Sequence, residues 1–299
     1  MQLDRSAWAT IIKDFHEKEI PSLIERAKDI PLETPIKRAI SIIGPRRTGK
    51  TYLLYQIITK ILKKEVKIAQ TMYINFERTG VQGCTSEDLH EMVQVWYELY
   101  PENKKKKMWL FLDEIQNVKA WETFVREAID ENIQVFISGS SSKLLSKEIA
   151  TAMRGRTISY TLLPFSFSEY LSAKGIKHGA YVSTSERAIL LNALKKYMEE
   201  GAYPEMVLYE QEREKIVQDI LETTIYRDVI ERYKIRNTKL LKLLIKALIS
   251  STAREFSVYK FYNFIKSTGI KVSKNSLYAY IDALHDVFFI FPIRKFSYS

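Results

Sequence analysis

Eight consecutive residues, Gly44-Pro45-Arg46-Arg47-Thr48-Gly49-Lys50-Thr51, satisfy every fixed position of the pattern G-x-x-x-x-G-K-[ST]. Glycines at both ends let the main chain come close to a ligand, and inward-facing backbone N–H groups with a helix N-terminus behind them suit a phosphate chain. Lys50 is the residue to reach the β/γ-phosphates, and the Thr51 hydroxyl the one to hold Mg²⁺. Tyr52 follows at the start of the helix and completes the candidate nucleotide-binding stretch.

Three further groups could act on a bound nucleotide. The run Met108-Trp-Leu-Phe-Leu ends in adjacent carboxylates, Asp113 and Glu114, about 60 residues after the glycine loop. A buried strand delivering acids at its tip is a Walker B pattern, with Asp113 in the Mg²⁺ shell and Glu114 placed to deprotonate water. In P-loop ATPases of the additional-strand class, a polar side chain at the tip of the next strand senses the γ-phosphate; Ser138 and Ser140 occupy that place, while Ser142 suits a helix N-cap. Arg154 and Arg156 precede the last strand, where an oligomeric ATPase projects an arginine into its neighbour's site. A guanidinium is planar, multi-donor and always charged, although pairing with carboxylates of the same domain accounts equally well for either residue.

The elements that must position these groups follow from apolar spacing. Residues 39–43 form a continuous apolar strand, and Leu53, Leu54, Ile57, Ile58, Ile61 and Leu62 give the stripe of a helix packed on a sheet. Strands are expected at 71–76, 108–113, 133–137 and 157–163, with a helix around Trp121–Ile129 and another at 143–150. This is an α/β fold, a parallel sheet flanked by helices. Residues 1–38 read as a lead-in helix, with Trp8, Ile11, Ile12 and Phe15 on one face, followed by a proline-broken linker that docks on the core.

GPRRTGKT, WLFLDEIQ, ISGSSSKLLS, the passage from RGRT to LLPFSFSEYL, GAYPEMV (201–207) and YRDVIERYKIRN (226–237) together resemble the archaeal and bacterial ATPase family of the AAA+ superfamily. The resemblance runs in consistent order from about residue 30 to the end. It implies a P-loop sheet of order 5-1-4-3-2, a helical lid, a winged-helix module, ATP and Mg²⁺ as ligands, and possible homo-oligomers. It gives the divisions 1–38 (helix and linker), 39–175 (ATPase core), 176–235 (lid, with Arg227 and Arg232 as candidate nucleotide contacts) and 236–299 (winged helix). Family members usually continue into a nuclease-like C-terminal domain; none is expected in this sequence, and no nuclease activity is carried over.

The chain has 299 residues, 46% of them hydrophobic, enough for a large core and two domains. A single cysteine, Cys84, excludes an internal disulfide framework and fits a reducing, cytoplasmic setting, and no apolar run reaches membrane-spanning length. The net charge is +10, and residues 236–299 hold 11 Lys/Arg against 3 Asp/Glu, a net of +8. A basic chain end on a nucleotide-binding core points to a polyanion, DNA first; a lysine-rich soluble surface is the alternative. The lysine run 104–107 reads as a solvated loop.

Within 236–299, apolar spacing gives a helix over Leu240–Leu248, a second capped by Ser257 and ending near Gly269, and a third capped by Ser273. A hairpin is expected across Pro292, from Val287–Phe291 and Ile293–Phe296. That is the winged helix-turn-helix order. Lys271, Lys274, Asn275 and Tyr278 fall off the apolar stripe near the third helix's start, where a recognition helix meets DNA; winged helices also dock proteins. The expectation is an ATP-hydrolysing AAA+ protein that binds DNA. A nucleotide-gated signalling switch with a protein partner, and an initiator-like origin-binding ATPase, are the alternatives.

Overall fold

The structure, a computed structural model, describes residues 3–140, 153, 155–177, 179 and 181–293. The chain divides into two compact units, Met1–Ile216 and Val217–Ser299. The segment 176–235, expected as one lid, is therefore shared between them.

The first unit is built on five parallel strands: β1 (Ala39–Ile43), β2 (Thr71–Asn75), β3 (Met108–Asp113), β4 (Ile133–Gly139) and β5 (Thr157–Thr161). Their order is β2-β3-β4-β1-β5, the expected 5-1-4-3-2 read from the other edge. Every residue of β1 and β4 is buried, as a central parallel strand covered on both faces requires. Register sets the site: Ile42 stands opposite Ser138, Ile43 opposite Gly139 and Asn75 opposite Asp113, so the glycine loop and both acids emerge at one carboxyl edge.

One face of the sheet packs against α2 (Lys50–Leu62), whose Leu53, Leu54, Ile57, Ile58 and Ile61 meet Ile40, Ile42, Phe111 and Phe136. The Phe111 and Phe136 rings stack with centroids 4.7 Å apart. The lead-in helix α1 (Arg5–Glu17) packs near α3 (Ser86–Leu99) and β2, burying Trp8, Ile12 and Phe15. Residues 19–38 then cross the unit without regular structure. The helix α4 (Trp121–Asp130) precedes β4 as expected. The fifth strand ends at Thr161, two residues short of the expected Leu163, because its partner β1 ends at Ile43, opposite Thr161; the chain then runs on to α5 (Phe167–Ala173). Then come α6 (Thr184–Glu200) and the short α7 (Pro204–Leu208). The expected helix at 143–150 and its cap Ser142 lie outside the described residues.

Helix α8 (Arg213–Thr223) continues into a π-helical stretch, Thr224–Glu231, that the sequence reading did not anticipate. In the second unit Ile225 and Val229 of this stretch join α9 (Thr238–Ser250), α10 (Val258–Ser267) and α11 (Lys274–Asp286) around one core, which includes Leu241, Leu244, Ile265, Leu277 and Leu284. Ser257 and Ser273 cap α10 and α11 as expected, accepting from the backbone N–H of Lys260 and Ser276. The three helices follow the winged-helix order. The expected first wing strand, 287–291, is not a strand: Val287 and Phe288 close α11 in a turn with Phe288 at φ +59°. Residues 294–299 lie outside the described set. Among the described residues no helix is long and apolar enough to cross a membrane.

Candidate nucleotide site

The glycine loop is shaped by two close approaches. A Cβ on Gly44 would lie 2.0 Å from the carbonyl oxygen of Leu162, so that position accepts no side chain without moving the backbone. Gly49 caps α2 in the left-handed region at φ +87°, which glycine adopts without strain. Lys50 is buried and folds back across the loop, donating to the carbonyls of Pro45 (2.9 Å) and Gly44 (3.2 Å). Its Nζ also lies 4.0 Å from Glu114 Oε1.

Asp113 is fully buried and receives four donors. Thr51 Oγ1 (2.6 Å), Tyr73 OH (2.8 Å) and Asn75 Nδ2 (3.3 Å) donate to Oδ2, and Ser138 Oγ donates to Oδ1. Burial, followed by the Asp113 charge, raises the Tyr73 phenol far above its ordinary range, so it stays protonated and can only donate to that carboxylate. Glu114 adopts the left-handed region at φ +54°, sparse for a non-glycine residue and often found at functional sites. Its carboxyl accepts from Gln116 Nε2 (2.5 Å), and its backbone N–H donates to Ser138 Oγ (3.1 Å). Burial pushes the Glu114 pKa up and outweighs the lowering by Lys50, with Asp113 adding to the rise. Such a carboxylate is a better proton acceptor than an exposed one. Ser140 Oγ is buried without a hydrogen-bond partner among the described residues, an orphaned polar atom near the tip of β4.

These atoms fit nucleotide and metal. Thr51 and Asp113 bring two hard oxygen donors within 2.6 Å of each other. Among the described residues no group of three or more His, Cys, Asp and Glu assembles. The hydroxyl and carboxylate oxygens of Thr51 and Asp113 are hard donors, which suit a hard divalent cation.

The side chains of the remaining candidates are exposed or engaged with other partners. Arg46 Nη1 lies 3.2 Å from Glu77 Oε1, Arg47 pairs with Glu205 of α7, and Tyr52 is exposed. Thr48 is buried, its hydroxyl donating to Pro45 O at 2.9 Å. Arg156 pairs with Asp130 of the same unit at 2.8 Å, while Arg154 lies outside the described residues. Arg227 is exposed and Arg232 lies 3.6 Å from Asp228, both within the second unit. There Lys271, Lys274, Asn275 and Tyr278 are all exposed, and Lys274 Nζ sits over the Tyr259 and Tyr262 rings at 4.6 and 5.4 Å.

Sequence reasoning missed two groups. Tyr73 was read only as part of a strand. Arg26, in the irregular lead-in, is 5% exposed; its side chain donates to Glu169 (Oε1, 2.9 Å), Thr48 O (2.6 Å) and Leu163 O (2.8 Å). The Ser166-x-x-Glu169 capping box was the available signal for Glu169; nothing in sequence marks Arg26.

Residues 36–171 match the AAA domain family, and residues 191–299 match a domain of unknown function, DUF8612. The uncharacterized protein MJ1544 of Methanocaldococcus jannaschii is 38% identical over 91% of this chain and 60% of its own length. An uncharacterized protein of Haemophilus influenzae is 26% identical over 86% of this chain and 62% of its own. The chain thus spans about 60% of the length of these relatives. Among solved structures, the Aeropyrum pernix ORC1 protein in complex with DNA aligns over 95% of this chain and 82% of its own, at 13% identity and a TM-score of 0.39, a likeness too distant to speak to function.

Proposed function

We propose that this chain, whose residues 36–171 match the AAA domain family, is a P-loop ATPase that binds ATP with Mg²⁺, hydrolyses it to ADP and phosphate, and binds DNA through its second unit. The observation that carries the catalytic half is the junction of Thr51, Asp113 and Ser138 beside the Lys50–Glu114 pair, all at the carboxyl edge of one sheet. Backbone N–H groups of residues 44–51 would cradle the phosphates, and Lys50 would exchange its carbonyl partners for phosphate oxygens. Thr51 and Asp113 would hold Mg²⁺, which would supply neutralisation of phosphate charge. Glu114 takes the proton of the attacking water, Ser138 keeps Asp113 and the Glu114 backbone in place, and Ser140 offers a free hydroxyl to the reacting phosphate.

The DNA half rests on the charge of residues 236–299 and on the exposed Lys271, Lys274, Asn275 and Tyr278 at the start of α11. In this reading the protein works in the cytoplasm. Self-assembly, with Arg154 or Arg156 completing a neighbour's site, belongs to the same proposal, although the Arg156–Asp130 pair favours Arg154 for that role. A second reading, a nucleotide-gated switch holding a partner protein, is favoured by the exposed Ile249 and Phe264 of the second unit. ATP turnover with and without duplex DNA, over a range of salt, separates the two. Salt-sensitive stimulation by DNA supports the first, and turnover indifferent to DNA with no DNA binding supports the second.

A further inference from the structure

Arg26 and Glu169 stand 143 residues apart in sequence and form a buried ion pair, their side chains 5% and 7% exposed. Burying two charges is costly unless geometry and extra hydrogen bonds compensate. Here they do: Glu169 also accepts from the backbone N–H of Ala27 (2.8 Å) and Ser166 (2.7 Å), and the Arg26 guanidinium lies 5.1 Å from the Phe165 ring centroid. Burial opposes ionisation of Glu169, yet the hydrogen bond from Arg26, with those from Ser166 and Ala27, holds its carboxyl below the ordinary glutamate value. The Arg26 backbone is itself fixed, its N–H donating to Gln56 Oε1 (2.8 Å) and its carbonyl accepting from Gln56 Nε2 (3.1 Å). Lead-in, α2 and α5 therefore lock one guanidinium in place.

That guanidinium holds the P-loop. Arg26 Nη1 donates to Thr48 O at 2.6 Å, and this carbonyl belongs to the peptide unit whose N–H is that of Gly49. In a trans peptide the C=O and N–H point in opposite directions. No peptide bond in the described chain is cis. Fixing the Thr48 carbonyl against Arg26 thus turns the Gly49 N–H away from it, at the step just before Lys50.

We infer that Arg26, held by Glu169, is a positioning residue for nucleotide binding that sets the Thr48–Gly49 peptide plane and so aims the Gly49 amide at the phosphate chain. The inference rests on the nucleotide reading above. It assigns a task to two passages outside the glycine loop: the irregular lead-in, and the capping box of α5, whose Glu169 both closes the helix start and anchors the arginine.

The test is equilibrium titration of the full chain with a fluorescent ATP analogue and Mg²⁺, fitted for both Kd and stoichiometry. Arg26→Lys keeps the charge beside Glu169 but cannot span Glu169, Thr48 and Leu163 together; Glu169→Gln keeps the shape and removes the anchor's charge. Leu89→Ala, in the core of α3, reports general destabilisation. We expect Kd to rise roughly tenfold in Arg26→Lys, with stoichiometry kept, from the loss of one charge-assisted hydrogen bond. Irreversibly misfolded protein lowers the stoichiometry and leaves Kd unchanged, and any rise in apparent Kd that comes from general destabilisation is read from Leu89→Ala. Partly folded preparations therefore still give the answer, and Glu169→Gln gives it independently. Unchanged Kd in the Arg26→Lys and Glu169→Gln proteins overturns the inference alone, whereas a wild type that binds no analogue overturns the nucleotide reading with it.

Discussion

The candidate sites of the two units differ in how tightly their side chains are held. In the first unit Asp113 is fully buried under four donors, Lys50 has two carbonyl partners and a carboxylate nearby, and Glu114 sits in a sparsely populated backbone conformation. In the second unit the residues expected to meet DNA are exposed, and Lys274 lies over two tyrosine rings. Chemistry on a phosphate bond needs preorganised atoms, so its residues are fixed before the ligand arrives. Binding a polyanion needs charge density and tolerates mobile side chains, because counterion release rather than geometry provides most of the free energy.

This contrast orders the expected effects. Glu114→Gln removes the proposed proton acceptor and keeps the shape, so it should bind ATP while turnover falls by roughly 10²–10⁴-fold. Steady-state phosphate release checks this, and undiminished turnover would make Glu114 a structural residue. Lys50→Ala should weaken ATP binding roughly 30- to 150-fold, the loss of about 2–3 kcal/mol of charged hydrogen bonding.

The exposed site should respond more gently and with a different signature. Replacing Lys271 and Lys274 together by alanine should weaken DNA binding about tenfold and flatten its salt dependence by roughly one unit per lost phosphate contact, with basal ATP turnover kept. Lys104 and Lys106, exposed on the first unit, give the control of equal charge loss. If that pair weakens DNA binding as much as the α11 pair does, charge alone is acting and the second unit is not the DNA reader. The smallest effect is expected from Tyr73→Phe, which removes one of the four donors to Asp113 and should shift the Mg²⁺ requirement for ATP binding by about three- to tenfold. Nucleotide binding in a metal chelator should not change.

How far sequence reaches follows the same division. The strand-loop-helix of 39–62 and the acids at the end of β3 were legible, because a buried parallel strand is a continuous apolar run and phosphate chemistry restricts residue types at fixed spacing, whereas the sheet order followed only from the family resemblance. Ser138 was legible as a position, though not as a donor to Asp113. Tyr73 and Arg26 were not, since each acts across the fold on a residue 40 or 22 positions away, and a tyrosine in a strand or an arginine in an irregular segment has nothing local to mark it. In the second unit helix caps and apolar stripes gave the three helices. The expected strand after α11 failed because apolar residues at 287–291 serve equally to close a helix against its core: Val287 is buried there, and Phe288 turns the chain.

The central claim is that the loop at 44–51 takes the phosphates of ATP. Calorimetric titration of Mg·ATP into the full chain and into Lys50→Ala, each checked for folding by thermal melting, tests it most directly. One site per chain in the wild type and a strongly weakened one in the variant is the predicted result; equal affinity in two folded proteins would contradict it.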